Sequence, residues 1–230
     1  MKHVNGFWAA TIVVGLLLAV SIMPKAPDVT TKGLTSITAS VVTGQVFLDI
    51  LGRCSKTFEQ GWNFVSFCKN LSDARVGEVF SQINNSIKYV LEWDESLQEF
   101  KAFSFNQMNP SFTTFNQSKS YFILYNNATS RQLDMEGSNI NINITQRLRQ
   151  GWNSVNYPYI QMATVRKYLS SLGSNFSFMM KWNQSSQSFI IFSPSAAEPQ
   201  LTTIDTAEGQ FILVTAANGS VLTYNVTDLG

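Results

Sequence analysis

The chain has 230 residues, 44% of them hydrophobic, which is enough for one large core or two modest ones. A net charge of +1 and a charged fraction of 13% leave no electrostatic footprint for nucleic acid or for an anionic membrane surface. The only histidine is His3, so the rest of the chain lacks the commonest general base and metal ligand, which argues against most hydrolase and metal chemistries.

Residues 1–5 carry Lys2, and residues 7–23 are apolar and uncharged up to Pro24-Lys25. Residues 1–24 therefore read as an export segment. It is either a signal peptide cleaved near Ala19-Val20-Ser21 or an anchor retained through residues 7–23. Processing after Gly6, as in type IV-like pilins, is a third route, although those proteins carry a basic residue where Asn5 stands. Residues 25–33 are a linker. Partial alternation of β-branched and polar residues over 34–51 predicts one or two strands.

Cys54 and Cys68 are the only cysteines and lie symmetrically about Gly61. Their placement predicts a hairpin turning near Gln60-Gly61 with a disulfide joining its arms, the default for an exported chain; two buried free thiols are the alternative.

Gly61-Trp62-Asn63 occurs again as Gly151-Trp152-Asn153, each copy preceded by Gln and followed two residues on by Val. At that offset, about ninety residues and therefore a small domain rather than a solenoid unit, the remainder of the chain realigns. Val76, Val79, Phe80 and Ile83 form one helical face, repeated by Val165, Tyr168, Leu169 and Leu172, with Asp73 and Thr164 as N-terminal signals and Gly173 as a C-cap. Ile87, Tyr89, Leu91 and Trp93 alternate with Lys88, Val90 and Glu92 as a half-buried strand, matched by Phe176, Phe178, Met180 and Trp182 alternating with Ser177, Met179 and Lys181. Phe100 and Phe103 match Phe189 and Phe192 on a returning strand, and Phe112 and Phe115 match Leu201 and Ile204. The run Phe122-Ile123-Leu124 matches Phe211-Ile212-Leu213 as a central strand, and last strands follow near 132–135 and 221–226.

The pattern predicts an α+β, β-rich fold of two tandem repeat domains, 34–137 and 138–230, each a mainly antiparallel sheet with one short helix. Between them, residues 139–145 alternate Asn with Ile and read as one strand, which would couple the domains closely.

Trp62, Trp93, Trp152 and Trp182 could be sugar-stacking platforms. Their phase with Leu91 and Met180 instead marks them as core anchors; with Gly61 and Gly151 for the turn, and Phe122 and Phe211, they are the structural anchors of the repeat. Asn63 and Asn153 then bond local backbone. Glu92, Asp94 and Glu95 are the only tight acidic cluster and the one candidate for carboxylate acid/base work. Their counterparts Lys181, Asn183 and Gln184 favour a solvated turn instead. The sequence has no phosphate loop, nucleophile elbow or paired metal motif, so no catalytic residue, metal site or cofactor is expected. Asn-x-Ser/Thr sites fall at Asn70, Asn84, Asn116, Asn127, Asn143, Asn175, Asn183, Asn218 and Asn225, mostly where turns or strand ends are predicted, as glycan acceptors require.

Gly61-Trp-Asn-Phe-Val-Ser66 with Trp93-Asp94 and Tyr121-Phe-Ile123, and Gly151-Trp-Asn-Ser-Val155 with Trp182-Asn183 and Gly209-Gln-Phe-Ile212, resemble the tandem Gly-Trp-Asn-x-Val-Ser modules of secreted and cell-surface proteins, many of them archaeal. Ser154 and Asn156 depart from that motif. The resemblance implies an extracellular structural or accessory role and carries over no catalytic residues. The expectation is an exported, N-glycosylated surface protein, structural or adhesive, whose partners are other surface proteins, copies of itself, or glycans. Two alternatives are a pilin-like, filament or virion subunit that keeps residues 7–23 or exchanges a strand, and a carbohydrate-binding module.

Overall fold

The computed structural model describes residues 54–140 and 142–224. The export segment, the linker, the strands expected over 34–51 and the Asn225 site lie outside those residues. The first half contains β1 (Ser55–Phe58), β2 (Gly61–Val65), β3 (Lys69–Leu71), the one-turn helix α1 (Val76–Val79), β4 (Ile87–Asp94), β5 (Glu99–Phe103), β6 (Tyr121–Tyr125), β7 (Arg131–Asp134) and β8 (Gly137–Asn139). The second contains β9 (Ile144–Leu148), β10 (Gly151–Val155), β11 (Ala163–Thr164), the one-turn helix α2 (Val165–Tyr168), β12 (Phe176–Asn183), β13 (Ser188–Phe192), β14 (Thr203–Ile204), β15 (Gln210–Val214) and β16 (Ser220–Tyr224). The fold is β-rich, with antiparallel pairing in every ladder among the described residues.

Two four-stranded sheets share one strand order, β2-β6-β4-β5 and β10-β15-β12-β13. Their registers correspond too: Asn63 opposes Ile123 as Asn153 opposes Ile212, and Leu91 opposes Ala102 as Met180 opposes Ile191. Small ladders flank them, β1 with β7, β3 with β8, β9 with β16 and β11 with β14.

Burial sorts the apolar residues into three layers. One outer core holds Phe58, Val65, Phe80, Val90 and Ile123, and the other holds Val155, Leu169, Met179, Ile212 and Leu222. Between the sheets lies a layer of Phe64, Trp93, Phe122, Met180, Trp182 and Phe211, with Trp62, Leu91, Phe100, Trp152, Phe189 and Ile191 packed against it. The central strands are therefore buried on both faces, which corrects the half-buried reading of β4 and β12: Val90 and Met179 are 0% exposed on the side opposite Trp93 and Trp182. A register shift between Ile87 and Tyr89, repeated between Phe176 and Phe178, inserts one residue and flips the strand parity. Ile87 and Phe176 thus enter the outer cores, while Tyr89 and Phe178 stand 39% and 40% exposed.

Three further local readings change. Cys54 and Cys68 do form a disulfide, with Cα atoms 5.6 Å apart. The segments before and after Gly61 are not a laddered hairpin, however, because β1 pairs with β7 and β2 with β6, so the chain turns a corner between sheets. Residues 139–145 are not one strand: β8 ends at Asn139 on β3, and β9 starts at Ile144 on β16. Asp73 does not cap α1, whose N-cap is Arg75; its carboxylate accepts from the Arg75 N–H and guanidinium, whereas Thr164 caps α2 by accepting from Lys167 N–H.

Candidate functional site

The motif residues build the seam between the two sheets. Asn63 is fully buried; its Oδ1 accepts from Glu59 N–H (3.1 Å), and its Nδ2 donates to the carbonyls of Glu59 (2.9 Å) and Gly61 (3.0 Å). Asn153 does the same with Arg149 and Gly151. Each asparagine thus satisfies the backbone of the corner that leads into its strand, which an aliphatic residue would leave unpaired.

Across the seam the contacts are reciprocal. Trp93 Nε1 donates to the Trp152 carbonyl and Trp182 Nε1 to the Trp62 carbonyl, both at 2.8 Å. Gln98 accepts from Trp152 N–H (2.8 Å) and donates to Trp152 O (3.0 Å), and Gln187 does the same to Trp62 at the same distances. Both glutamines occupy left-handed backbone at turn positions, φ 53° and 50°, where glycine or asparagine is usual. The motif glycines answer to them. Gly61 and Gly151 have φ of 104° and 97°, and a Cβ there would lie 2.6 Å from Gln187 Oε1 or 2.7 Å from Gln98 Oε1. Gly-Trp-Asn is therefore half of a clamp whose other half is a glutamine in the opposite sheet's hairpin. These glutamines were not legible in sequence, since a Gln in a polar turn looks solvated. Their identical spacing after Trp93 and Trp182 was the available signal.

The strand ends are tied as well. Ser66 N–H donates to Ala207 O (3.2 Å) and Asn156 N–H to Ser118 O (3.0 Å). Asn156, the departure from the motif, also accepts from Phe67 N–H (2.6 Å) and donates to Phe67 O (2.8 Å). Phe64 stacks on Phe122 and Phe211 and lies over Gly209, where a Cβ would come within 2.6 Å of its ring. At the matching place Ser154 replaces Phe64 and Ser120 replaces Gly209; Ser154 Oγ accepts from Ser120 N–H and donates to Ser120 O. One seam combines a large residue with a small one, and the other combines two of intermediate size.

The acidic cluster is fully engaged. Asp94 pairs with Lys101 at 2.6 Å and accepts from Ser96 and Leu97 N–H; the Lys101 and Ser96 hydrogen bonds hold its carboxyl well below the usual range. Lys119 pairs with Glu95 (2.7 Å) and Glu92 (3.4 Å) and donates to Trp93 O. Tyr121 donates to Glu92 at 3.0 Å, and burial, then the Glu92 charge, push its phenol above the ordinary value. At the matching positions the charges are reversed, with Lys181 against Glu208 (2.5 Å) and Asp205 (3.4 Å). Among the described residues no cluster of His, Cys, Asp and Glu could hold a metal ion.

Trp93 and Trp182 are buried, and Trp62 and Trp152 are partly buried against the same layer. Of the sequon asparagines, Asn70, Asn116, Asn127, Asn143, Asn175 and Asn218 are exposed, and Asn84 and Asn183 are half-buried. Four of them come together in pairs: Asn127 Nδ2 donates to Ser86 of the Asn84 sequon, and Asn175 Nδ2 to Ser220 of the Asn218 sequon, both at 3.2 Å. Comparison with known proteins finds no matching family, no matching curated protein and no matching solved structure.

Proposed function

We propose that this chain is an exported, N-glycosylated protein of the cell surface or extracellular space, structural or adhesive in role and without catalytic activity. It is built from two tandem repeat domains, 34–137 and 138–230, following an export segment that is either cleaved or kept as an anchor. The tandem reading is supported by the common strand order and matching registers of the two four-stranded sheets. The observation that carries the functional reading is how the polar groups divide. The motif residues and the acidic cluster are consumed in seam and turn contacts, while Asn70, Asn116, Asn127, Asn143, Asn175 and Asn218 stand exposed at the surface. Its partners are other surface proteins or further copies of itself, with glycans attached at the sequons.

Expression through a secretory route with Asn-linked glycosylation tests this. The intact mass of the secreted protein should fall on enzymatic deglycosylation, with peptide mapping locating glycans among the exposed sequons. Secreted protein of unmodified mass at every sequon would defeat the glycoprotein reading. The mapped N-terminus distinguishes cleavage from retention of residues 7–23.

A further inference from the structure

The two four-stranded sheets end in edge strands that occupy matching positions, and among the described residues only one of those edges is protected. At β5 the edge carries Glu99 and Lys101, the latter ion-paired with Asp94. Ser111 N–H donates to Ala102 O at 3.3 Å, so the next segment covers that edge. At β13 the sequence is Ser-Phe-Ile-Ile-Phe, with no charge, no proline and no glycine. Among the described residues no backbone hydrogen bond from 193–200 reaches it. Phe189, Ile190 and Ile191 are half-buried, and Phe178, 40% exposed, extends the apolar surface on the Ile191 side. An uncharged apolar edge of this kind is a template for another strand.

We propose that β13 is a self-association surface, pairing antiparallel with β13 of a second copy about a twofold axis to join two four-stranded sheets into one. The register follows from the ladder phase. The Ser111 bond shows that Ala102 presents its backbone groups off the sheet. Leu91 faces Ala102 as Met180 faces Ile191, so Ile191, and Phe189 two residues back, present theirs outward in the same way. A register centred on Ile190 pairs all five residues of the strand. It sets Phe189 against Ile191 of the second copy in hydrogen-bonded pairs and Ile190 against its own counterpart in a non-hydrogen-bonded pair. The strand is self-complementary in this register, with no like charges opposed. The same arrangement at β5 would set Lys101 against Lys101, which is destabilising. A second copy is therefore the occupant this edge fits. The inference deepens the surface-protein reading by naming where copies meet, and it can fail while export and glycosylation stand.

The test uses the purified, disulfide-intact mature protein. Sedimentation velocity over a concentration series should show a dimer that Ile190→Lys, importing the charge found at Lys101, abolishes while the far-ultraviolet spectrum is kept. Non-hydrogen-bonded partners bring Cα atoms to about 4.5 Å, within disulfide reach. Ile190→Cys should therefore give a covalent dimer on a non-reducing gel, whereas Ser188→Cys, which faces Phe192 of the second copy and lies four residues along the strand from its own counterpart, should not. This second pair keeps the inference testable should Ile190→Lys unfold the chain. A dimer unaffected by Ile190→Lys, or equal crosslinking from both cysteine variants, overturns it. So does a monomer at every concentration, including one whose Phe189 and Ile191 amides are protected from exchange because another segment of the same chain covers the edge.

Discussion

The indole N–H of Trp93 donates to the backbone carbonyl of Trp152, 59 residues away, across the seam between the two sheets. The same carbonyl also accepts from Gln98 Nε2, so it has two donors, and the Trp62 carbonyl has the matching two. Trp93→Phe keeps most of the buried surface and removes one bond. The loss expected is about 1 kcal/mol, the net worth of a single hydrogen bond, rather than the larger penalty of an orphaned carbonyl. Urea denaturation of the single variant, of Trp182→Phe and of the pair should show near-additive losses, since the two bonds share no partner.

Gln98 holds left-handed backbone so that its amide can clamp Trp152. Gln98→Ala removes the clamp and keeps the strain, whereas Gln98→Gly removes both. Glycine should therefore be the more stable of the two by about 1 kcal/mol, with the parent above either. That inversion of the usual order is read from denaturation midpoints. If alanine equals or exceeds glycine, the backbone strain is not there.

Gly209 is excluded from carrying a side chain by Phe64 and not by its backbone angles. Gly209→Ser alone should cost roughly 1–3 kcal/mol by overpacking. Combined with Phe64→Ser it recreates the Ser120–Ser154 pairing of the other seam, so the double variant should lose less than the two singles together in a double-mutant cycle. Gly151→Ala should show no comparable rescue by Gln98→Gly, since φ at Gly151 is itself positive.

The Glu92–Lys119 pair of the first half stands where the second has Lys181–Glu208. Reversing one charge by Glu92→Lys should cost more than the roughly 1 kcal/mol of an exposed pair, because the site is largely buried and Tyr121 loses its Glu92 acceptor. The double reversal Glu92→Lys with Lys119→Glu should recover part of the loss, limited by new repulsion between residue 119 and Glu95. Thermal melts at low and high salt would separate the Coulombic share, which screening reduces.

Burial raises the phenols of Tyr157 and Tyr168, as it does that of Tyr121. A raised folded-state value means that the fold favours the neutral phenol. Its contribution is complete below the ordinary tyrosine value of about 10 and is lost as pH climbs above it. Melting temperature should hold to about pH 10 and then drop, with ionisation of these three buried phenols appearing together with unfolding rather than ahead of it. At the acid end Asp94 works in the opposite sense: its depressed value gives stability that is present above about pH 4 and fades as pH falls below it.

Much of the fold was legible because hydrophobic period and repeat offset are local signals. The Phe122 and Phe211 runs read as central strands, and β6 and β15 are the second strands of their sheets. What escaped was set by partners distant in sequence. Polar Lys88 and Glu92 made β4 look half-buried, whereas the bulge at Lys88 and the opposing sheet give Val90 and Trp93 separate cores. Asn139 and Ile144 alternate with their neighbours as one strand would, yet each is claimed by a different ladder, β3 at one end and β16 at the other. Gln98 and Gln187 look like turn residues until the opposite tryptophan strand is in view.

The clamp from Gln187 to Trp62 spans 125 residues of chain, whereas its counterpart from Gln98 to Trp152 spans 54. Emerging from a ribosome or an export channel in order, the first sheet reaches its full set of strands while Phe64 and Phe122 still lack Phe211 and Trp182. Its aromatic face must wait, bare, for the rest of the chain. Arrival of β12 and β15, rather than completion of the first sheet, is then the moment at which that face is covered. Any truncation before β15 would leave that face permanently open.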